Sequence, residues 1–225
     1  MWGSAVTTQL HQVSLREQSL AVIRQGIVTG ELVPGEIYSA ASLAANLGVS
    51  NSPVREAMLT LVEQGVMETV RNRGFRLVPL SDMDRRNILD LRLMLEVPAM
   101  GRIAEEALAE PHRKRFEEVA SLIVDAVDAQ DMLQFLEQDR TFHLGLLGLL
   151  GNSRLNSIVE MLRDQTRLLG IRDLSGAGEL RASALEHAEI LSALLSGDGQ
   201  AAEQLMRRHL GHIEAEWAGP SAESS

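Results

Sequence analysis

Residues 15–78 pass from helical to strand periodicity in a fixed order, and this order restricts the fold more than any other feature. Apolar residues recur at helical spacing up to a stop at Gly30; they are Leu15, Leu20, Ile23 and Ile27. A second helix is predicted over 41–47, ended by Gly48. A third is predicted over 53–64, with Ser52 as its N-cap and Pro53 as its first residue.

Two short alternating runs, 67–70 and 75–78, follow the third helix. Arg71-Asn72-Arg73-Gly74 connects them, and a short connection with a glycine predicts a β-hairpin. A helix, a helix-turn-helix and a hairpin in this order predict a winged helix-turn-helix domain over residues 1–80.

The second helix of a helix-turn-helix places its first residues in the major groove of DNA. Here those residues are Ser50, Asn51, Ser52 and Arg55. Hydroxyls suit phosphate oxygens, an Asn side chain pairs with an adenine edge, and an Arg reaches phosphate or guanine. The pattern also permits a protein-interaction module, so spacing alone leaves both functions open.

The connection between the two strands carries a second candidate DNA contact. Arg71 and Arg73 lie at the tip of the hairpin, and Gly74 permits a close approach. A wing of this kind suits contact with the DNA backbone or a minor groove.

The same region resembles the N-terminal domain of GntR-family bacterial transcription regulators. The resemblance rests on LVPGEIY at 32–38, LAANLGVSNSPVREAM at 43–58, GVM at 65–67 and RGF at 73–75. It implies that Ser50, Ser52, Arg55 and Gly74 occupy DNA-contact positions. Asn51 stands where the family usually has Arg, so we expect a different operator preference.

Residues 82–217 are predicted to be helical throughout, with six helices over 82–109, 112–129, 131–149, 153–173, 181–196 and 199–217. Pro98 is expected to kink or split the first of them. Asp131 and Ser153 are candidate caps. The predicted fold is therefore mostly α, with a winged helix-turn-helix over 1–80, a six-helix bundle over 81–217 and a flexible tail over 218–225.

Four polar residues interrupt the apolar faces of this helical region. Asp139 and His143 are four residues apart on one helix face. His187 and His209 each lie 11 residues from Asp198, the centre of a turn. In an antiparallel helix pair this places both imidazoles at one height, about 16 Å from the turn.

Three His and one Asp from three helices suit a divalent transition metal. The alternative is that each side chain is an ordinary core residue satisfied by hydrogen bonds. Spacing alone leaves both open.

The helical region also resembles the FCD effector domain of FadR-type GntR regulators, in the six-helix VanR-like subgroup. The resemblance spans about 85–217 and rests on Leu91-Arg92, Glu96, Asp139-x-x-x-His143, Gly151-Asn152, Glu186-His187 and Met206-Arg-x-His209. It implies that Asp139, His143, His187 and His209 bind a metal, with zinc favoured and nickel or manganese as alternatives. It also implies a small carboxylate effector beside the metal.

Arginines of the helical region are candidates for pairing with that carboxylate. Arg92 matches a family position for an anion contact, and an intradomain salt bridge is the alternative. Arg163 and Arg167 are four apart, and a solvated face explains them better than a cavity.

Charge divides the chain at the predicted domain boundary. The net charge is −10, but residues 1–80 hold six Arg and six Glu, which cancel. The excess acid therefore belongs to the second region, and DNA contact is expected only in the first. The chain has no Cys, and neither a secretory signal nor a membrane span is evident, so we expect a cytoplasmic protein.

These observations favour a ligand-responsive transcription regulator that binds double-stranded operator DNA, with a repressor preferred to an activator. A homodimer is expected from the family and from the two-fold symmetry of operators. The alternatives are a regulator for which the metal itself is the signal and, less favoured, a metal-dependent hydrolase. The chain is not expected to be an enzyme, because no convincing general base is near the candidate ligands. Glu186 is next to His187 in the chain but lies on a different face of the helix.

Overall fold

The computed structural model of the chain describes residues 14–170 and 177–218, without side chains at 167–170, 177–179 and 213–218. Its N-terminal part contains α1 (Leu15–Thr29), α2 (Ala40–Leu47) and α3 (Asn51–Glu63). A three-stranded antiparallel sheet follows the order β1-β3-β2, with β1 (Ile37–Tyr38), β2 (Met67–Val70) and β3 (Gly74–Leu77). The predicted winged helix-turn-helix fold is confirmed.

Two local features of this domain differ from the sequence prediction. Strand β1 was not predicted, because two residues are too few to show an alternating pattern. Helix α3 begins at Asn51 after Ser50, so Ser52 is not its cap. The Ser52 hydroxyl instead donates to Oε1 of Glu56 at 3.1 Å. Pro53 fits the first turn, where the first four amides have no partner within the helix.

The second part of the described chain is helical, as predicted. It contains α4 (Asp82–Glu105), α5 (Arg113–Asp128), α6 (Met132–Gly148), α7 (Ser153–Gly170), α8 (Ala177–Ser196) and α9 (Gly199–Ala218), with a short 3-10 turn at Glu110–His112. None of these helices is both long and apolar enough to cross a membrane. The predicted tail falls, from residue 219 onward, outside the described residues.

The caps and breaks of these helices follow the sequence only in part. Helix α4 runs through Pro98 without a break, so Pro98 does not split the helix, and the alternative of a kink stays a prediction. Asp131 caps α6 by accepting from the Gln134 amide at 3.0 Å, as predicted. At α7 the side chain of Asn152, and not that of Ser153, accepts the first-turn amide of Leu155 at 3.1 Å.

Two apolar cores stabilise the two parts, and they meet at α1. In the helical part α4 packs along α9, and α5 packs on α6 and α8. The smaller core lies between α1, α2, α3 and the sheet. Val28 of α1 packs against both cores, as does Leu136 of α6. Helix α1 also contacts α7, so the winged domain rests directly on the helices that carry the candidate site.

Candidate functional site

Helix α3 presents one polar face to solvent and buries the other. Its buried residues are Val54, Ala57, Met58 and Leu61, each 0% exposed. Burial of this apolar stripe fixes the rotation of the helix. The predicted DNA-contact residues at its start are all exposed; they are Ser50, Asn51, Ser52 and Arg55.

The turn between β2 and β3 extends the exposed polar face of α3. Arg71 and Arg73 are exposed at its tip. The guanidinium carbon of Arg55 lies 5.7 Å from the ring centroid of Phe75 in β3, a cation–π distance. The start of α3 and the hairpin therefore form one continuous surface.

Gly74 has a structural reason to be glycine. Its φ is 130°, and a Cβ at this position would overlap the backbone carbonyl of Tyr38 in β1. The close approach that Gly74 permits in this structure is therefore to the neighbouring strand.

Four buried side chains from three helices converge in the helical part. Asp139 and His143 come from α6, His187 from α8 and His209 from α9. One candidate ligand atom from each lies within 4.8 Å of all the others. The ring centroids of His187 and His209 are 4.5 Å apart, in agreement with the equal heights expected from the turn at Asp198. We call this group the histidine cluster.

Each imidazole of the histidine cluster has an acceptor at Nδ1. Nδ1 of His143 lies 3.1 Å from Oε2 of Glu96, and Nδ1 of His209 lies 3.1 Å from Oε2 of Glu186. Nδ1 of His187 lies 3.0 Å from the carbonyl oxygen of Ala184. A proton on each Nδ1 satisfies these acceptors and leaves the lone pair on Nε2, which is the tautomer of a metal-bound histidine.

The surroundings of the imidazole Nε2 atoms show whether a metal fits the histidine cluster. The Nε2 atoms of His143 and His187 are buried and have no hydrogen-bond partner among the described residues. A buried nitrogen lone pair without a partner is unfavourable. Three imidazole nitrogens and one carboxylate match the ligands that zinc prefers, so the residues fit a divalent metal.

Glu96 connects the histidine cluster to two arginines. It is 0% exposed and accepts from Nε of Arg92 at 2.6 Å and from Nη1 of Arg163 at 3.1 Å. Burial raises the pKa of Glu96, but the two guanidinium charges outweigh it and hold the pKa well below its usual range. Glu96 is therefore a carboxylate that orients His143.

His143 is kept neutral by its surroundings. Burial lowers its pKa, and the positive charge of Arg163 lowers it further, to well below the ordinary value. A neutral imidazole is the form that binds metals.

Glu186 is a site residue that sequence reasoning set aside. It is 6% exposed and accepts from His209 through Oε2, while Oε1 lies 3.0 Å from Nε2 of His212 and 2.7 Å from Nε of Arg208. Burial raises the pKa of Glu186, but the hydrogen bonds to the two histidines lower it to about 2. Although Glu186 precedes His187 in the chain, its side chain faces α9. The spacing of Glu186 and His209 on the two sides of the turn at Asp198 could have predicted their contact.

The two candidate effector arginines are buried. Arg92 is 0% exposed and bound to Glu96, so the intradomain salt bridge is present. Arg163 is 1% exposed and pairs with Asp139, contrary to the solvated face expected from the sequence. The side chain of Arg167 lies outside the described residues.

Comparison with known proteins identifies the class to which this fold and site belong. Residues 15–77 match the family of bacterial regulatory proteins called gntR, and residues 87–212 match the FCD domain. The chain belongs to the GntR family of DNA-binding transcription regulators, in the group that carries an FCD domain. The members of this family and the relatives of this chain are transcription regulators and not enzymes.

Individual relatives agree with this family. An HTH-type transcriptional regulator of Streptomyces ambofaciens is 30% identical over 193 residues, covering 84% of this chain and 78% of the relative. The HTH-type transcriptional repressor RspR of Escherichia coli is 28% identical over 212 residues, covering 92% and 91%. The structure of E. coli McbR/YncC aligns with a TM-score of 0.75 at 24% identity, covering 92% of this chain and 98% of that one, and shows the shared fold.

Proposed function

We propose that this regulator is a repressor whose operator affinity is set by a small carboxylate bound beside a divalent metal in the histidine cluster. Residues 1–80 would read the operator and residues 81–217 would sense the ligand, in the cytoplasm. The observation that carries the proposal is the convergence of Asp139, His143, His187 and His209 within 4.8 Å. That the relative RspR is a repressor supports the sign of the regulation.

The charges around the histidine cluster favour an anionic ligand. Arg92, Arg163, Glu96 and Asp139 are all buried, and their formal charges cancel when the imidazoles are neutral. A divalent metal held there, zinc above nickel or manganese, would add two uncompensated positive charges and act as a Lewis acid. Buried charge is costly unless it is paired, so a carboxylate would complete the site.

The cavity next to the cluster has the size for a small acid. It measures about 350 Å³ and is lined by residues of α1, α6 and α7, Asp139 and Arg163 among them. Ligand sites of proteins begin at about 300 Å³. Arg163 would meet the carboxylate from the cavity wall, and Arg92 would act as the second guanidinium behind Glu96.

The exposed surface of α3 and the hairpin would contact the operator. The contacting side chains would be those of Ser50, Asn51, Ser52, Arg55, Arg71 and Arg73, and Gly74 would belong to the same surface. The exposure of six of them on one surface supports this assignment, and Gly74 would act by shaping the hairpin.

A homodimer would place two such surfaces on a two-fold operator. Helix α4 offers an apolar stripe for a second copy of the chain, since Met83, Leu91 and Met94 are 65%, 46% and 70% exposed and lie within one arc of the helix. Ile158 of α7 is 47% exposed, and α7 packs beside α4. Sedimentation should show a dimer for the wild type and a monomer for Met94→Asp. The Met94→Asp variant should also bind the operator more weakly than the wild type.

The effector is tested with an operator fragment selected by the protein itself from random DNA. Zinc-loaded protein is screened with small mono- and dicarboxylic acids for a rise in melting temperature, because a ligand of the native state stabilises it. An acid that stabilises the protein should also release the selected DNA, and Arg92→Gln should weaken that response.

A matched control separates the buried arginine from a general loss of charge. Arg102→Gln removes an exposed i,i+4 pair with Glu106 from the same helix and should respond as the wild type does. If zinc alone switches DNA binding and no acid has an effect, the metal is the signal and the carboxylate proposal is wrong.

A further inference from the structure

One turn of α7 faces the histidine cluster with two of its residues and the winged domain with the other two. Arg163 pairs with Asp139 of the cluster, and the buried Thr166 accepts from Nη1 of Arg92, the partner of Glu96, at 3.4 Å. Between them, Asp164 forms an ion pair with Arg24 of α1, and the side-chain amide of Gln165 lies against Gly65, the second residue after α3. We call residues 163–166 the α7 turn.

The outward contacts of the α7 turn lead to the C-terminal end of α3, directly for Gln165 and through Arg24 of α1 for Asp164. Nη2 of Arg24 in α1 lies 3.6 Å from Oδ2 of Asp164. The same Nη2 donates to Oε1 of Gln64, the C-cap residue of α3, at 3.4 Å. The next residue, Gly65, has a φ of 71°, and a Cβ there would overlap the amide of Gln165. The α7 turn therefore touches the helix end opposite to the exposed residues at its start.

The pair of a buried Asp164 and a partly buried Arg24 is loosely held. Their side chains are 21% and 8% exposed. Nε of Arg24 and Oδ2 of Asp164 have no hydrogen-bond partner within the part of the chain that the structure describes. Burial raises the pKa of Asp164, and Arg24 and Arg140 only partly offset this. A pair held by charge alone has no directional bond that fixes its geometry, so either helix can shift without breaking one.

The cavity brings this pair and the cluster into one space. Its lining includes Arg24 from α1 together with Asp164, Arg163 and Asp139. A change at Asp139 or Arg163 therefore acts on the helix turn that also holds Asp164.

We propose that the α7 turn couples the histidine cluster to the DNA-binding surface, through the Asp164–Arg24 pair and the contact of Arg24 with Gln64. The inference rests on the proposed regulation of operator binding from the cavity and names the residues that transmit it. Packed elements with two discrete arrangements carry coupling of this kind.

A double-mutant cycle in operator binding tests the route. Asp139→Asn perturbs the cluster side of the α7 turn without requiring a metal, and Arg24→Gln removes the ion pair on the other side. With DNA selected by the wild-type protein, Asp139→Asn should change the Kd by about fivefold or more in the wild-type background. In the Arg24→Gln background the same change should fall to about twofold or less.

A second perturbation covers the case in which Asp139→Asn lowers the stability of the fold. The ratio of operator Kd between zinc-loaded and chelator-treated protein should shrink in Arg24→Gln and persist in Arg16→Gln. Arg16 is the matched control, because it lies on the same helix and also bonds to α3, through Thr60 at 2.9 Å.

The outcomes separate this route from the proposed function. The coupling route would be overturned if Asp139→Asn changed the operator Kd equally in both backgrounds. It would also be overturned if Asp139→Asn left the operator Kd unchanged in the wild-type background. Absence of zinc binding would defeat the metal proposal alone, since the cycle with Asp139→Asn is read without metal.

Discussion

Glu186 accepts a hydrogen bond from His209 at 3.1 Å across the pair formed by α8 and α9, although its neighbour in the chain is His187. One helix thus supplies a candidate ligand and the carboxylate that orients the ligand on the next helix. Groups that orient a ligand in this way commonly change metal affinity when they are replaced.

Glu186→Gln should weaken zinc binding by about 10- to 100-fold, because the amide no longer supplies the charge that orients His209. Competition with a chromogenic chelator measures the affinity. Glu189→Gln is the control, since Glu189 lies on the same helix and pairs with Arg208 without touching the cluster. Equal affinities for Glu186→Gln and the control would contradict the role of Glu186.

Asn51→Ala should change sequence preference more than overall affinity. Asn51 is exposed at the first position of α3, and the proposed function gives its side chain a contact with a base edge. Loss of one bidentate contact costs about 1–3 kcal/mol of discrimination at one base position. Binding to selected and random DNA should be compared, and equal losses on both would count against a reading role.

Arg71→Ala should weaken binding to all sequences alike. Arg71 is exposed at the tip of the hairpin, and the proposed function gives its guanidinium a contact with a DNA phosphate. The slope of log Kd against log salt should fall by about one unit for one lost phosphate contact. A change confined to one base position would instead assign Arg71 to base recognition.

Gly74→Ala should destabilise the winged domain by about 1–3 kcal/mol, because a Cβ at this φ of 130° meets the carbonyl of Tyr38. Gly151→Ala is the control. Its φ of 67° is also positive, but nothing lies within 4 Å of the added Cβ, so backbone strain alone acts, at about 1–2 kcal/mol. Urea unfolding compares the two variants, and a smaller loss for Gly74→Ala would be inconsistent with the contact to β1.

Elements governed by local periodicity could be predicted from the sequence. The helices around the cluster follow apolar spacing, and the equal distance of His187 and His209 from Asp198 predicted that their rings would meet. The FCD resemblance pointed to the same four residues. Local rules were sufficient because a helix hairpin fixes the relative heights of its residues.

Features that depend on partners far away in the chain could not be predicted from local sequence patterns. Strand β1 exists only because it pairs with β3, and its two residues have no pattern of their own. Arg163 looked like a surface residue because its partners, Glu96 and Asp139, lie 67 and 24 residues away in the chain. The position of Ser52 was misjudged because two serines flank Asn51 and either suits a cap.

The most direct test of the central claim is zinc stoichiometry, measured by competition with a chromogenic chelator on metal-free protein. The wild type should bind one zinc ion per chain, and His187→Ala should bind none. His212→Ala should still bind one, because the side chain of His212 is 39% exposed and contacts Glu186 rather than the cluster. Failure of the wild type to bind zinc, nickel or manganese, or unchanged binding by His187→Ala, would contradict a metal centre in the histidine cluster.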